Sequence, residues 1–213
     1  MSRIRLTEIF QSLQGESASV GWRTVFVRLT GCPLRCVYCD TSYAFRGGDW
    51  WGIEAILDEV AIYDAHHVTV TGGEPLAQPE CITLLTALCD AGYQVSLETS
   101  GAVDVGEVDP RVIKVMDLKT PGSGESGRNL YANIECLQAK DQVKFVINDK
   151  SDYQWCCEQV RRWKLPTRCE VLFSPVADVM PPAQLADWIL RDRLDVRFQV
   201  QLHKVLWGNE PGR

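Results

Sequence analysis

No apolar run in this chain of 213 residues approaches the ~20 residues that span a bilayer, and the opening Met1-Ser2-Arg3-Ile4-Arg5 leads into no signal-like stretch. No membrane partner is expected, and the expected compartment is the cytoplasm. An excess of positive charge is also missing. With 22 basic and 28 acidic residues the net charge is −6, whereas a broad nucleic-acid footprint usually makes a domain basic. Internal repeats and long low-complexity tracts are absent. With 46% hydrophobic and 23% charged residues, the chain has the makings of one packed domain over residues 1–213. Nine cysteines is an odd count for a disulfide framework, and a reducing compartment keeps them as thiols. Histidine is scarce: only His66, His67 and His203 are present.

Three of the cysteines, Cys32, Cys36 and Cys39, lie in the run Gly31-Cys32-Pro33-Leu34-Arg35-Cys36-Val37-Tyr38-Cys39-Asp40. Gaps of three and two residues let one loop reach three corners of a cube-shaped 4Fe-4S cluster. A structural zinc site or a closed electron-transfer cluster normally takes four protein ligands, and no fourth is near: His66 and His67 are almost thirty residues on. One iron would therefore stay open to a small molecule. Cys81, Cys89, Cys136, Cys156, Cys157 and Cys169 are expected as small apolar core residues.

Apolar β-branched runs alternate with helical patterns, which predicts an α/β fold with a parallel sheet and crossover helices. The strand candidates are 25–29, 67–71, 94–98, 112–118, 142–147, 170–173 and 197–202, and the helices 53–64, 79–91, 152–163 and 182–191. Roughly six core strands with about four helices are too few for a closed eightfold barrel of ~250 residues. A partial, open TIM-like barrel with reduced helical cover is expected. The glycine- and serine-rich segment 121–131 reads as a mobile rim loop. The cysteine loop, Thr71-Gly72-Gly73-Glu74-Pro75, Glu98-Thr99-Ser100-Gly101 and Asp117-Leu118-Lys119-Thr120-Pro121 each follow a core strand, so they should share the rim where α/β folds bind ligands.

In Thr71-Gly72-Gly73-Glu74-Pro75, two glycines permit close backbone approach, and the carbonyls and carboxylate suit a ligand ammonium. The plain alternative is a strand-to-helix turn with Glu74 near the helix N-terminus. Arg28 sits among apolar strand neighbours, so its charge needs a partner, either a ligand carboxylate or, structurally, Glu16 or Asp40.

Cys32, Cys36 and Cys39 with Tyr38 before the last, followed by Gly72-Gly73-Glu74, resemble the radical S-adenosylmethionine (SAM) superfamily. Glu8-Ile9-Phe10-Gln11-Ser12-Leu13-Gln14-Gly15-Glu16, Phe26-Val27-Arg28-Leu29, Cys39-Asp40-Thr41 and His203-Lys204 resemble the 7-carboxy-7-deazaguanine synthase family, over essentially the whole chain. The resemblance implies a carbon–nitrogen lyase that contracts 6-carboxy-5,6,7,8-tetrahydropterin to 7-carboxy-7-deazaguanine with loss of ammonia, towards queuosine and related 7-deazapurines. It implies Leu13, Gln14, Gly15, Glu16, Arg28, Thr71 and His203 at the substrate, and Gly73, Glu98, Ser100, Lys119, Phe173, Ser174, Pro175 and Val176 at SAM. Cys32, Cys36 and Cys39 would hold the 4Fe-4S cluster, with Thr41 on Mg2+. A flavodoxin- or ferredoxin-type reductant and a homodimer follow from the same likeness. Without it, Thr41 reads as a helix cap and His203 as a core or interface histidine.

Two departures stand out. Ser17 occupies a position commonly glycine in that family, and the tail Trp207-Gly208-Asn209-Glu210-Pro211-Gly212-Arg213 runs past the end of some members. Two other readings share part of this pattern. A glycyl-radical activase shares the cysteines and Gly72-Gly73-Glu74 but has no need of Gln14, Arg28 and Thr41 together. A noncatalytic iron–sulfur electron carrier would bind no SAM at the open iron. Replacing Cys36 with alanine is expected to abolish turnover, and retained activity with an intact cluster would contradict the assignment.

Overall fold

The computed structural model describes residues 3–208, 210 and 212. The chain builds strands β1 (Arg3–Leu13), β2 (Arg23–Leu29), β3 (Asp49–Gly52), β4 (His67–Gly72), β5 (Gln94–Thr99), β6 (Ile113–Asp117), β7 (Gln142–Ile147), β8 (Glu170–Pro175) and β9 (Arg197–Phe198). Its helices are α1 (Ile53–Ile62), α2 (Glu80–Asp90), α3 (Lys150–Trp163), α4 (Pro182–Asp192) and α5 (Leu202–Trp207). All strands join one unclosed sheet in the order β3-β1-β2-β4-β5-β6-β7-β8-β9, with β1 antiparallel to both neighbours and the rest parallel. This is the open barrel expected from the strand and helix pattern. No helix among the described residues is long and apolar enough to cross a membrane.

Strand alternation divides the sheet into two faces. Val25, Val27, Leu29, Val68, Val70, Val95 and Leu97 belong to a core with Leu84, Leu85 and Leu88 of α2, and Met116, Val143, Phe145 and Ile147 belong to a second core with α3 and α4. Full burial stabilises each large aliphatic side chain by about 1.5–3 kcal/mol. The concave face is polar instead. Paired registers set Arg28 beside Thr71, Thr69 beside Ser96 and Asp117 beside Lys144.

Three expectations need correction. The predicted strand 197–202 stops at Phe198, because past Gln199, whose N–H still donates to Phe173 O, the backbone turns away and Leu202 N–H donates to Gly15 O (2.9 Å). The Gln199 side chain brackets the Ser17 backbone (2.7 and 2.9 Å), and Gln201 donates to Glu16 at 2.6 Å. Helix α5 follows. The segment 121–131 is not a loose loop. It forms two 3-10 turns tied by Gly122 N–H to Asp152 (2.7 Å) and by Asn129 to both backbone groups of Lys119 (2.9 Å each). Cys136 is exposed at the end of a 3-10 stretch, while Cys81, Cys156, Cys157 and Cys169 are buried. Strands β1 and β3 went unassigned in the sequence because they are antiparallel additions outside the strand–helix repeat.

The rim loops are joined through Glu74, which is fully buried. Its carboxylate accepts from Thr99 Oγ1 (3.0 and 2.9 Å), Ser100 N–H (2.7 Å), Ser100 Oγ and Leu76 N–H (3.0 Å), and its own N–H donates to Gly31 O at 2.9 Å. The carboxylate is thus occupied within the protein and is not free for a ligand ammonium. Glu74→Ala would strand several buried donors and should cost about 3 kcal/mol, measured as a lower denaturant midpoint under anaerobic conditions. An unchanged midpoint would refute this role.

Candidate functional site

A cavity of about 330 Å³ opens at the carboxyl ends of the parallel strands, within the usual range of roughly 300–1,000 Å³ for ligand sites. Cys32, Cys36 and Cys39 line it together with Thr41, Gly73, Ser100, Lys119 and Val176. Leu13, Gln14, Gly15, Glu16, Arg28, Thr71, Glu98 and His203 line it as well. Phe173, Ser174 and Pro175 do not reach it. Alternation along β8 sends Phe173 into the helix-side core, edge-on to Phe145 (5.6 Å) and Tyr153 (6.2 Å), and only Val176, just past the strand end, reaches the cavity.

The cysteine loop packs directly on the Gly72-Gly73 loop. A Cβ at Gly73 would collide with Gly31 O and the Cys32 side chain, so close approach requires glycine there. The loop's other flank is held by Val37 N–H to Ser123 O (3.0 Å) and Arg35 N–H to Glu125 (2.6 Å). Burial pushes the Cys36 thiol up to about 11 and the Cys32 thiol upward, so binding iron must draw off their protons. Among the described residues no three His, Cys, Asp or Glu side chains close on one metal ion. The donor set nonetheless suits a cluster, whose ligands sit at separated corners. The buried Asp117 Oδ1 has no hydrogen-bond partner among the described residues, and Asp117 lines the cavity beside Lys119. A three-thiol, glycine-lined and partly unsatisfied rim fits a cluster with a polar small molecule at its open side.

Gln14 is held from inside: its amide donates to Thr69 (3.1 Å) and Glu98 (3.3 Å), and its carbonyl accepts from Glu16 N–H (3.2 Å). Glu16 is ion-paired to Lys144. Burial pushes its carboxyl up, but the Lys144 charge and the bonds from Lys144 and Gln201 outweigh that, and the net shift is down. Glu98 goes the other way. Burial raises it, and the neighbouring Glu16 charge adds to the rise against Lys144. Asp117 bridges Lys119 (3.1 Å) and Lys144 (3.4 Å), which hold it below the usual carboxylate range despite burial. Lys119 is raised by Asp117 against its burial.

Arg28 pairs with Glu8 at 2.7 Å, not with Glu16 or Asp40, because Glu8 is its register partner on β1. Tyr43 donates to the same Glu8 oxygen at 2.7 Å. Thr41 precedes a 3-10 turn, but its hydroxyl makes no cap bond and donates to Asp40 at 2.8 Å. Asp40 in turn meets Lys204 at 3.2 Å, tying α5 to the cysteine loop. His203 packs against Gly15, where a Cβ would overlap the imidazole, and Leu202 N–H donates to Gly15 O at 2.9 Å. Burial lowers His203 against the pull of Glu16 and Asp40, so the imidazole favours its neutral form.

Ser17 takes φ = 68°, the left-handed region that glycine enters freely. The serine keeps that turn through the Gln199 clamp and an Oγ contact to Ser19 at 2.9 Å, so the departure from glycine leaves a left-handed turn in place. Of the tail, Asn209, Pro211 and Arg213 lie outside the described residues. Sequence reasoning missed Lys144 and gave Asp117 a place on the rim but no role. The available signal was a lysine and an aspartate at alternating positions in otherwise apolar strands.

A family model for the radical SAM superfamily matches residues 26–119. The chain is 43% identical over 208 residues to a 7-carboxy-7-deazaguanine synthase of Chlorobaculum tepidum, covering 96% of this chain and 94% of the relative. A protein of the same description from Koribacter versatilis is 39% identical, covering 97% and 98%. The fold matches the crystal structure of QueE from Escherichia coli with a TM-score of 0.78 over 94% of this chain and 95% of that one, at 22% identity. Gly15→Ala should push His203 and α5 off the cavity wall and lower kcat/KM by about 100-fold while iron content stays unchanged. Steady-state kinetics beside an iron assay tests this, and unaltered kinetics would show that the contact is dispensable.

Proposed function

The chain belongs to the 7-carboxy-7-deazaguanine synthase family of radical SAM lyases, and from that premise we propose how its cavity divides the work. The enzyme is a radical SAM carbon–nitrogen lyase of 7-deazapurine biosynthesis, and neither an activase nor an electron carrier is favoured. The observation that carries this reading is the convergence of three thiols, a glycine cradle and a hydrogen-bonding polar wall in one cavity. A bound 4Fe-4S cluster with SAM supplies a 5′-deoxyadenosyl radical. The rest is positioning and exclusion of water by the chain's own residues.

Cys32, Cys36 and Cys39 would hold the cluster, and Gly73, Ser100, Lys119 and Val176 would line the SAM side. On the other wall, Glu16, with the backbone of Leu13, Gln14 and Gly15, would read the amide-like edge of 6-carboxy-5,6,7,8-tetrahydropterin. Arg28 spends only Nε on Glu8 among its described bonds, which leaves its other donors for the substrate carboxylate. Thr71, its register neighbour, and neutral His203 complete the contacts. Glu98, expected at SAM, would stand beside the SAM-lining residues; its carboxylate accepts from Gln14 and Thr71 (3.3 and 3.4 Å), and it is the cavity carboxyl readiest to hold a proton. Thr41 would place one hydroxyl on Mg2+, which commonly takes few protein ligands.

The same reading takes a flavodoxin- or ferredoxin-type protein as reductant, a homodimer as the working form, the cytoplasm as its compartment and residues 1–213 as one domain. Anaerobic incubation of cluster-reconstituted protein with SAM, reductant, Mg2+ and the pterin should give 7-carboxy-7-deazaguanine by mass spectrometry. SAM cleavage without that product would overturn the substrate, and no cleavage with a verified cluster would overturn the radical chemistry. Omitting Mg2+ should slow the reaction if Thr41 holds the ion.

A further inference from the structure

Strand β7 is buried along its whole length, yet Lys144 sits at its centre. An ammonium buried there is costly unless paired, and one carboxylate would be enough to satisfy it structurally. Lys144 has more. It is ion-paired with Glu16 from the β1–β2 loop, lies 3.4 Å from Asp117 on β6, and feels the Glu98 charge from β5. Other charged or titratable groups around them are Lys119, Arg28, Asp40, His203 and Lys204. Glu16 has both oxygens occupied, one by Lys144 and one by Gln201. Asp117 Oδ2 is shared between Lys144 and Lys119. A single ammonium therefore spans the two walls of the cavity.

We propose that Lys144 is a positioning residue: it fixes the substrate-reading Glu16 against the cofactor-side Asp117–Lys119 pair and so aims its carboxylate at the pterin edge. This rests on the functional reading above. Without Lys144, the buried Glu16 loses its main counter-charge and takes up a proton, and its aim towards the pterin is released. The effect belongs to pterin binding, not to cluster assembly.

The test uses reconstituted holoenzyme carrying Lys144→Met, Lys144→Arg, Glu16→Gln and the Lys144→Met/Glu16→Gln pair. Lys144→Met should raise KM and the calorimetric Kd for the pterin about tenfold or more, with iron content and SAM Kd unchanged. Lys144→Arg should recover part of that loss, and the double variant should be no worse than the weaker-binding single variant. Unchanged pterin affinity in Lys144→Met, or additive losses in the pair, would overturn the proposal. If Lys144→Met loses its cooperative unfolding transition, Glu16→Gln decides, since its pterin Kd must weaken while SAM Kd holds. Wild-type protein that makes no 7-carboxy-7-deazaguanine would defeat the functional reading itself. Wild-type turnover with insensitive variants would defeat only this role of Lys144.

Discussion

The buried carboxylate of Glu74 is the constraint on which the rim depends. It joins its own loop, through Leu76, to the β5 loop, through Thr99 and Ser100, while the backbone N–H of the same residue donates to Gly31 O of the cysteine loop. A charge this deep is tolerated because its oxygens are saturated with donors. Gly73 sits against Gly31 and Cys32, so closely that a Cβ there would collide with both. The short turns of 121–131 hold the opposite flank of the cysteine loop.

A second polar network lies on the concave face, where parallel strands are usually apolar on both sides. Arg28, Thr71, Glu98, Asp117 and Lys144 occupy alternate positions on successive strands and point into one cavity. Their ionisation is set jointly. Lys144 and Lys119 hold Glu16 and Asp117 towards the charged form, and Glu98, without an ion pair among the described residues, is left the most easily protonated. A site with both charged acceptors and a readily neutral carboxyl suits a polar heterocycle whose protons must be moved as its ring is rebuilt.

The C-terminal helix closes this arrangement from a distance in sequence. Its short span carries little stability alone, and it stays in place through Gly15, the Asp40–Lys204 pair and the amides of Gln199 and Gln201. The predicted last strand breaks off here: Gln199 N–H still donates to Phe173 O of β8 at 3.0 Å while its side chain clamps Ser17, but Leu202 N–H goes to Gly15 O and α5 begins.

What the sequence determined by itself was the chemistry and the strand–helix alternation. Cysteine spacing and the glycine pair are local, and a strand of β-branched residues announces itself within a few positions, so the cluster loop, the core strands and the open barrel were legible. Only the tertiary structure decided the pairings. Glu8 rather than Glu16 as the partner of Arg28, Glu74 as a clamp, Phe173 turned to the core and Lys144 between two walls all depend on which strands become neighbours and on their register. Those contacts join residues tens to more than a hundred positions apart, and a charge on a strand does not reveal its partner until the sheet has formed.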